Sequence, residues 1–287
     1  MNDFSPDWLR LREPADHRSR SAELAGQVAR LFADRDGVAI VDLGSGLGSN
    51  LRALAPALPC NQSWRLIDHD PDMLESARGE LARWAPARME DKRLVLALRE
   101  GYRVDVTTSC LDLAHAIEDV FAPRPDLVTA AALFDLTSID WIDRLAEAAA
   151  RHEVPVYAVL TYDGEDFGEP PHPFDHAMLK ALHVHQSRDK GFGPAAGPDA
   201  VRVMRQAFAS RRFDVRTAPS PWVLDDADSA MLTMLGDGVV RAVRETALMT
   251  SDQLREWRAA HMPDGRWRGV RWTVGHVDLL AVPRRAW

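Results

Sequence analysis

The chain has 287 residues, 46% hydrophobic and 27% charged, an ordinary globular composition with enough apolar material for one sizeable core. Its 43 Asp and Glu outnumber 35 Lys and Arg, a formal net charge of −8, which argues against a duplex-binding surface built to displace counterions. No apolar run approaches a bilayer span, and "MNDFSPDWLRLREPADHRSR" has no apolar secretion core. Cys60 and Cys110 alone make neither a disulfide framework nor a thiolate metal site. The expectation is a cytoplasmic protein with a small partner, no nucleic acid and no membrane.

In chain order, "SAELAGQVARLFADRDG" sets Leu24, Val28, Leu31 and Phe32 on one helical face and stops at Asp36-Gly37. "VAIVDLG" reads as a buried strand, Asn50 to Leu58 as a helix, and "WRLIDHD" as a second strand. Asp70 before Pro71 predicts a capped helix start. Two strands follow, Arg93 to Leu98 and Tyr102 to Ser109, around Glu100-Gly101. "PDLVTAAALF" and "VPVYAVLTY" are buried strands separated by a helix from Asp140 to Arg151. Strands and helices alternating this way predict an α/β chain with a doubly wound, mainly parallel sheet.

The second half is less regular. Residues 163–198 are rich in Pro, Gly and His and hold one helix, Phe174 to His185. A helix from Pro198 is expected to turn Val201, Met204 and Phe208 inward. "FDVRTAPS" is a strand, residues 220–262 carry two or three short helices, and "RWTVGHVDLLAVP" is the last strand. Loops this long inside a compact domain are usually functional. One domain, 1–287, is therefore expected, with residues 1–36 as N-terminal cap helices and 163–198 and 220–262 as helical lid insertions over a substrate.

The turn "VDLGSGLGSN" strips the backbone bare at Gly44, Gly46 and Gly48, directly after a strand and before a helix. Such a turn lets a ligand approach the chain and the helix N-terminus. A dinucleotide fingerprint would read G-x-G-x-x-G. Here the spacing is Gly-x-Gly-x-Gly with Asp42 two residues earlier, an acid that repels phosphate and attracts an ammonium. The pattern resembles the first motif of the class I S-adenosylmethionine-dependent methyltransferases. That likeness implies a Rossmann-like, seven-stranded sheet with an antiparallel last strand, and S-adenosyl-L-methionine as cofactor. It also implies donor contacts from Asp42, Gly44, Ser45, Gly46, Gly48 and Asn50. Asp68, ending the second strand, matches the position that takes the ribose hydroxyls, with His69 beside it. Asp112 resembles the acid that takes the adenine amino group, with the Leu113 amide offered to the ring; a plain helix cap is the rival reading of Asp112.

Methyl transfer asks the protein to align an acceptor and, for oxygen or nitrogen, to supply a base. The ends of the fourth and fifth strands carry Asp135, Tyr162 and Asp163, with His172 in the insertion beyond, and these are the catalytic candidates; a helix N-terminal cap is the rival reading of Asp135. Tyr162 and Asp163 are expected to face one cleft. No metal is expected: His172 and His176 are four apart, but no further ligands lie at tight spacing. His276 and Asp278 on the last strand read as a structural hydrogen-bonded pair, and Trp222, Trp257, Trp267 and Trp272 as pocket lining or core. "WLRLREPADHRSR" either docks Trp8, Leu9 and Leu11 on the ligand edge, with Arg12, Arg18 or Arg20 reaching a carboxylate, or is a solvated basic helix face. The reading is methyl transfer to oxygen or nitrogen of a small molecule. A nicotinamide-dependent oxidoreductase and a non-catalytic binding module are the alternatives.

Overall fold

The computed structural model describes residues 5–91, 93–99, 102–262, 267 and 269–284; the Glu100-Gly101 turn lies outside them. Two helices lead, α1 (Pro6–Ser19) and α2 (Ala22–Leu31), started by the Ser5 and Ser21 hydroxyls, which accept the Trp8 and Leu24 amides. Then come β1 (Gly37–Leu43), α3 (Ser49–Leu54), β2 (Asn61–Asp68) and α4 (Pro71–Trp84). Asp70 caps α4 as its sequence predicts, accepting the amides of Asp72 and Met73. An antiparallel pair, β3 (Ala87–Glu90) and β4 (Arg93–Arg99), precedes β5 (Tyr102–Cys110). The middle of the chain supplies α5 (Ile117–Val120), β6 (Leu127–Ala131), α6 (Ile139–His152), β7 (Val156–Glu169) and α7 (Asp175–Gln186). The rest is α8 (Ala200–Ala209), β8 (Phe213–Pro219), β9 (Trp222–Leu224), α9 (Ser229–Thr246), α10 (Ser251–His261) and β10 (Arg271–Pro283).

Among the described residues these strands form one sheet in the order β3-β4-β5-β2-β1-β6-β7-β10-β8, with β9 on β10. The five strands from β5 to β7 are parallel, and β10 runs antiparallel between β7 and β8. The chain winds outward from β1 to one side and then from β6 to the other, so the β1–β6 boundary is the switch point where such sheets bind ligands.

The seven strands of the resemblance are present, and so is the eighth expected at Arg93 to Leu98, which is β4, but the sheet has ten among the described residues. The additions are β3, which extends the edge beside β4, and the three-residue β9. Four residues, three of them exposed, and three residues are too short to leave a periodic signal. The first insertion also begins later than 163. β7 runs on through Glu169, where "DGEDFGE" looks like loop by composition, because Arg271–Val274 of β10 pairs with it. Residues 220–262 hold an 18-residue helix, α9, and an 11-residue helix, α10, in place of short pieces. In α8 the inward residues include Val203, Met204, Ala207 and Phe208, while Val201 is only half-buried.

Apolar layers cover both faces of the sheet, one under α6 and α8, the other under α2, α3 and α4. A third core lies apart, made by α1, α7, α9, α10 and the upper ends of β7, β9 and β10. Trp257, Trp267 and Trp272 pack edge to face there, with centroids 4.9–5.9 Å apart. All three are core. Gly236 and Gly168 make this packing possible, since a Cβ at either would stand 2.5 Å from the Trp267 or Trp272 ring.

The hydrogen bond expected between His276 and Asp278 does not form. The β10–β7 register shifts beside them, and Leu160, at φ 55°, turns its amide out of the ladder. Asp278 accepts that amide at 2.9 Å and the Ser21 amide at 2.8 Å, pinning the start of α2 to β7. Asp278→Ala should therefore lower the urea midpoint by an amount equal to about 1–3 kcal/mol for each stranded buried donor. A change within about 0.5 kcal/mol, the range of an indifferent surface substitution, would contradict that role.

Candidate functional site

The turn after β1 holds Gly44, Gly46 and Gly48 at φ 59°, 51° and 76°, all left-handed. A side chain would be strained at each. Space is short as well: a Cβ on Gly44 would lie 3.2 Å from Leu133, and one on Gly46 3.2 Å from Leu9. The turn is tied to the neighbouring strand by the Ser45 amide on the Ile67 carbonyl and the Gly46 amide on Asp68, both at 2.9 Å. Asp68 also accepts the Asp70 amide at 3.2 Å and lies 3.2 Å from the exposed His69 ring. A carboxylate has about four acceptor sites, so Asp68 keeps capacity for a ligand.

Asp42 is wholly buried beneath the turn. One oxygen accepts Asn50 at 2.7 Å; the other, Oδ2, is enclosed with no partner among the described residues, as is the Ser45 hydroxyl. Burial pushes the Asp42 carboxyl up to about 7, against the pull of the Asn50 hydrogen bond and the nearby Arg20 cation. Asn50 is fixed from the other side by Thr129 at 3.1 Å and gives its oxygen to Arg20 at 2.7 Å. At the end of β5, Asp112 is largely exposed and accepts the Ala114 amide at 3.0 Å, while the buried Leu113 gives its carbonyl to the Trp141 indole at 2.6 Å.

α1 docks across this turn. Leu9 lies on Gly46, Glu13 forks onto Arg52 at 2.7 and 2.5 Å, and the His17 ring lies 3.0 Å from the Ser49 hydroxyl. The basic N-terminal stretch is thus a covering helix and not a solvated face.

A second constellation closes on the same helix. Arg12, 8% exposed, donates to Asp16 at 2.9 Å and stands 5.1 Å over the Trp222 ring, whose indole donates to the same Asp16 at 3.0 Å. Trp222 packs on His276 with centroids 4.7 Å apart, and His276 on Tyr162 at 6.2 Å. The Asp135 carboxyl faces the Tyr162 amide and feels the Arg12 charge; its Oδ1 is enclosed and unpartnered among the described residues. Burial raises Asp135 to about 6, and burial with the nearby Arg12 cation lowers His276 to about 3, so that ring is neutral. The His183 Nε2 lies 3.1 Å from the Gly164 carbonyl and 3.2 Å from the Tyr162 hydroxyl. A carbonyl only accepts, so Nε2 carries the proton, and the Tyr162 proton is left for another acceptor.

Not every candidate joins this group. Asp163 points to the opposite face of β7, beside Pro198, Val201 and Arg205 of a 650 Å³ groove, so it shares no cleft with Tyr162. The cause is strand alternation, which sends adjacent residues to opposite faces. His172 caps the approach to α7, its amide on Asp175 at 2.6 Å, and its ring packs on Phe174 and His261. Nothing local in the sequence singles out Asp16. His183 is only one of four histidines in the insertion, Arg12 one of three arginines expected to reach a carboxylate, Trp222 pocket lining or core, and His276 the expected partner of Asp278. Asp16 and Trp222 are 206 residues apart, and only the pairing of β9 with β10 brings them together.

No protein-family model matches the chain, and no curated protein does. Among solved structures, the YcgJ protein of Bacillus subtilis is 12% identical with a TM-score of 0.52, covering 94% of this chain and 100% of its own. A cyclopropane-fatty-acyl-phospholipid synthase-like protein from Lactobacillus casei is 14% identical, covering 94% and 91%, with a TM-score of 0.49. A SAM-dependent methyltransferase from Geobacter sulfurreducens, in complex with S-adenosyl-L-homocysteine, is 15% identical, covering 98% and 99%, with a TM-score of 0.46. Identities this low speak to fold alone. The chain has a Rossmann-like α/β fold, a mainly parallel, doubly wound sheet with β10 set in antiparallel. No helix among the described residues is long and apolar enough to cross a membrane.

Carbon-detected titration of the side-chain carboxyls should find Asp42 and Asp135 ionising near 7 and 6, each signal disappearing in the matching Asp→Asn variant. Midpoints near the ordinary value of about 4 would contradict the enclosed site.

Proposed function

We propose that the chain is an S-adenosylmethionine-dependent methyltransferase acting on an oxygen or nitrogen of a small-molecule acceptor. It works as a single domain with α1, α7, α9 and α10 as the lid. The observation that carries the reading is the turn after β1, where three left-handed glycines stand over a buried carboxylate with one oxygen unpartnered among the described residues. A nicotinamide dinucleotide would set its pyrophosphate on such a turn, where Asp42 and Asp68 oppose negative charge. An amino acid's ammonium suits Asp42, and the bare backbone at Gly44, Ser45, Gly46 and Gly48 admits the rest of the donor. Asn50 orients Asp42, Asp68 takes the ribose with His69 at its rim, and Asp112 and Leu113 stand where the resemblance sets adenine.

The donor supplies an electrophilic methyl group on a sulfonium. The chain's own residues position the acceptor and receive its proton. Asp135, after β6, has a free oxygen to take that proton, while Arg12 favours its ionised form. Tyr162 offers a hydroxyl, and Trp222 with neutral His276 forms an apolar wall with few polar atoms. α1 touches both halves, with Leu9 on the glycine turn and Arg12 in the acceptor group, so its docking closes the two together. Asp163 and His172 stand outside this arrangement.

Calorimetry with S-adenosylhomocysteine and NAD tests the donor, and release of S-adenosylhomocysteine over a panel of phenols, amines and hydroxy acids tests transfer. S-adenosylhomocysteine should bind and NAD should not, and Asp68→Ala should weaken binding by about tenfold or more, as expected for lost charge-assisted bonds. Asp135→Asn should keep donor affinity and lose about 10²–10⁴ in turnover. Turnover of the parent should rise with pH through about 6, because only ionised Asp135 accepts a proton. Tight NAD binding, or parent-like turnover in Asp135→Asn, would refute the assignment.

A further inference from the structure

Arg20 lies between α1 and α2, close to Asp42 yet not paired with it. Its Nη1 donates to Asn50 Oδ1 at 2.7 Å, and Asn50 Nδ2 donates to Asp42 Oδ1 at 2.7 Å. One amide side chain thus stands between a cation and an anion and uses one atom of each. What is left over is complementary: Arg20 Nε and Nη2 on one side, Asp42 Oδ2 on the other, all enclosed and without a partner among the described residues. The Ser45 hydroxyl is enclosed and unpartnered as well. Buried polar groups are nearly always satisfied, and an unpaired buried charge is costly. Asp278 also lies near Arg20, but its two oxygens are taken by the Leu160 and Ser21 amides. The free edges of Arg20 and Asp42, opposite in charge and held apart by Asn50, match a zwitterion.

We infer that Arg20 binds the carboxylate of the donor's amino-acid end while Asp42 takes its ammonium, with Asn50 as the spacer that sets their separation. This rests on the donor reading above and adds to it a residue from outside the glycine motif. Nε and Nη2 are adjacent donors on a planar guanidinium, the edge that grips both oxygens of a carboxylate. Since Arg20 is the residue between the two leading helices, and His17 one turn earlier contacts Ser49, the carboxylate contact also seats α1. Specificity follows: the turn should reject adenosine derivatives that lack the carboxylate even when they keep the amine.

The test is calorimetry of S-adenosylhomocysteine against its decarboxylated analogue, on the parent protein and on Arg20→Gln and Arg20→Lys. The ligand change leaves the protein intact, so one arm does not depend on a variant folding. The parent should bind S-adenosylhomocysteine about tenfold or more tighter than the decarboxylated analogue, the loss expected for a charge-assisted bond. Arg20→Gln should bind the two alike, and Arg20→Lys should fall between, having charge without the fork. If S-adenosylhomocysteine binds but the parent does not discriminate, or Arg20→Gln discriminates as the parent does, the Arg20 assignment is overturned while the donor reading stands. If neither ligand binds the folded parent, both fail.

Discussion

Much of this molecule follows from the burial of one carboxylate. Asp42 ends β1 at the switch point of a parallel sheet, wholly enclosed, and its charge has no water to solvate it. The surroundings answer with Asn50, an oriented amide, and Arg20, a cation kept at one remove. Asn50 in turn takes its place from Thr129 on β6, and Thr129 donates to the Tyr157 carbonyl on β7 at 2.8 Å. Three adjacent strands and the helix after the glycine turn are therefore fixed around one acid. A fully satisfied network of this kind rigidifies its surroundings, whereas a partly satisfied one keeps a preference for whatever completes it. The free Asp42 oxygen belongs to the second case.

The glycine turn and the group around Trp222 and His276 would be separate features without α1. That helix carries Leu9 onto Gly46, Glu13 onto Arg52 and Arg12 into the ring with Asp16, Trp222, His276 and Asp135. Its contacts with the turn are made by side chains and take no hydrogen bond from the sheet ladder. Helices α7, α9 and α10 have their own core of Trp257, Trp267 and Trp272, built over Gly168 and Gly236. In the proposed role as a lid, a separate core would let them act as one body, which suits sequestration of a reacting pair from water.

The parts legible in the sequence were those whose determinants are local. Asp42, Gly44, Gly46 and Gly48 lie within seven consecutive positions, and Asp70-Pro71 announces the start of α4 by itself. "RWTVGHVDLLAVP" gave β10 with both boundaries, since thirteen mostly apolar residues have little else to do beside a buried sheet. What was not legible depended on partners far along the chain. β7 continues through a polar, glycine-containing stretch only because β10 offers it an edge. Asp278 looked like a partner for His276 until register shifts in β10 sent its oxygens to Leu160 and Ser21. Asp163 looked equivalent to Tyr162 because the end of the strand had been placed there; as an interior strand residue it must face the other way. Arg12 and Arg20 were visible as basic residues, but their roles come from Trp222 and Asn50, which no local pattern links to them.

The most direct measurement of the central claim is the proton balance of donor binding. At pH 6.5 the buried Asp42, with its carboxyl pushed up to about 7, is largely protonated, and an ammonium set against it should drive the proton off. Titration of the protein with S-adenosylhomocysteine at pH 6.5, in phosphate and in Tris, should give different heats that account for release of a large fraction of one proton, and Asp42→Asn should abolish the difference. Equal heats in the two buffers, with binding intact, would mean that the ligand does not meet Asp42, and would contradict the account.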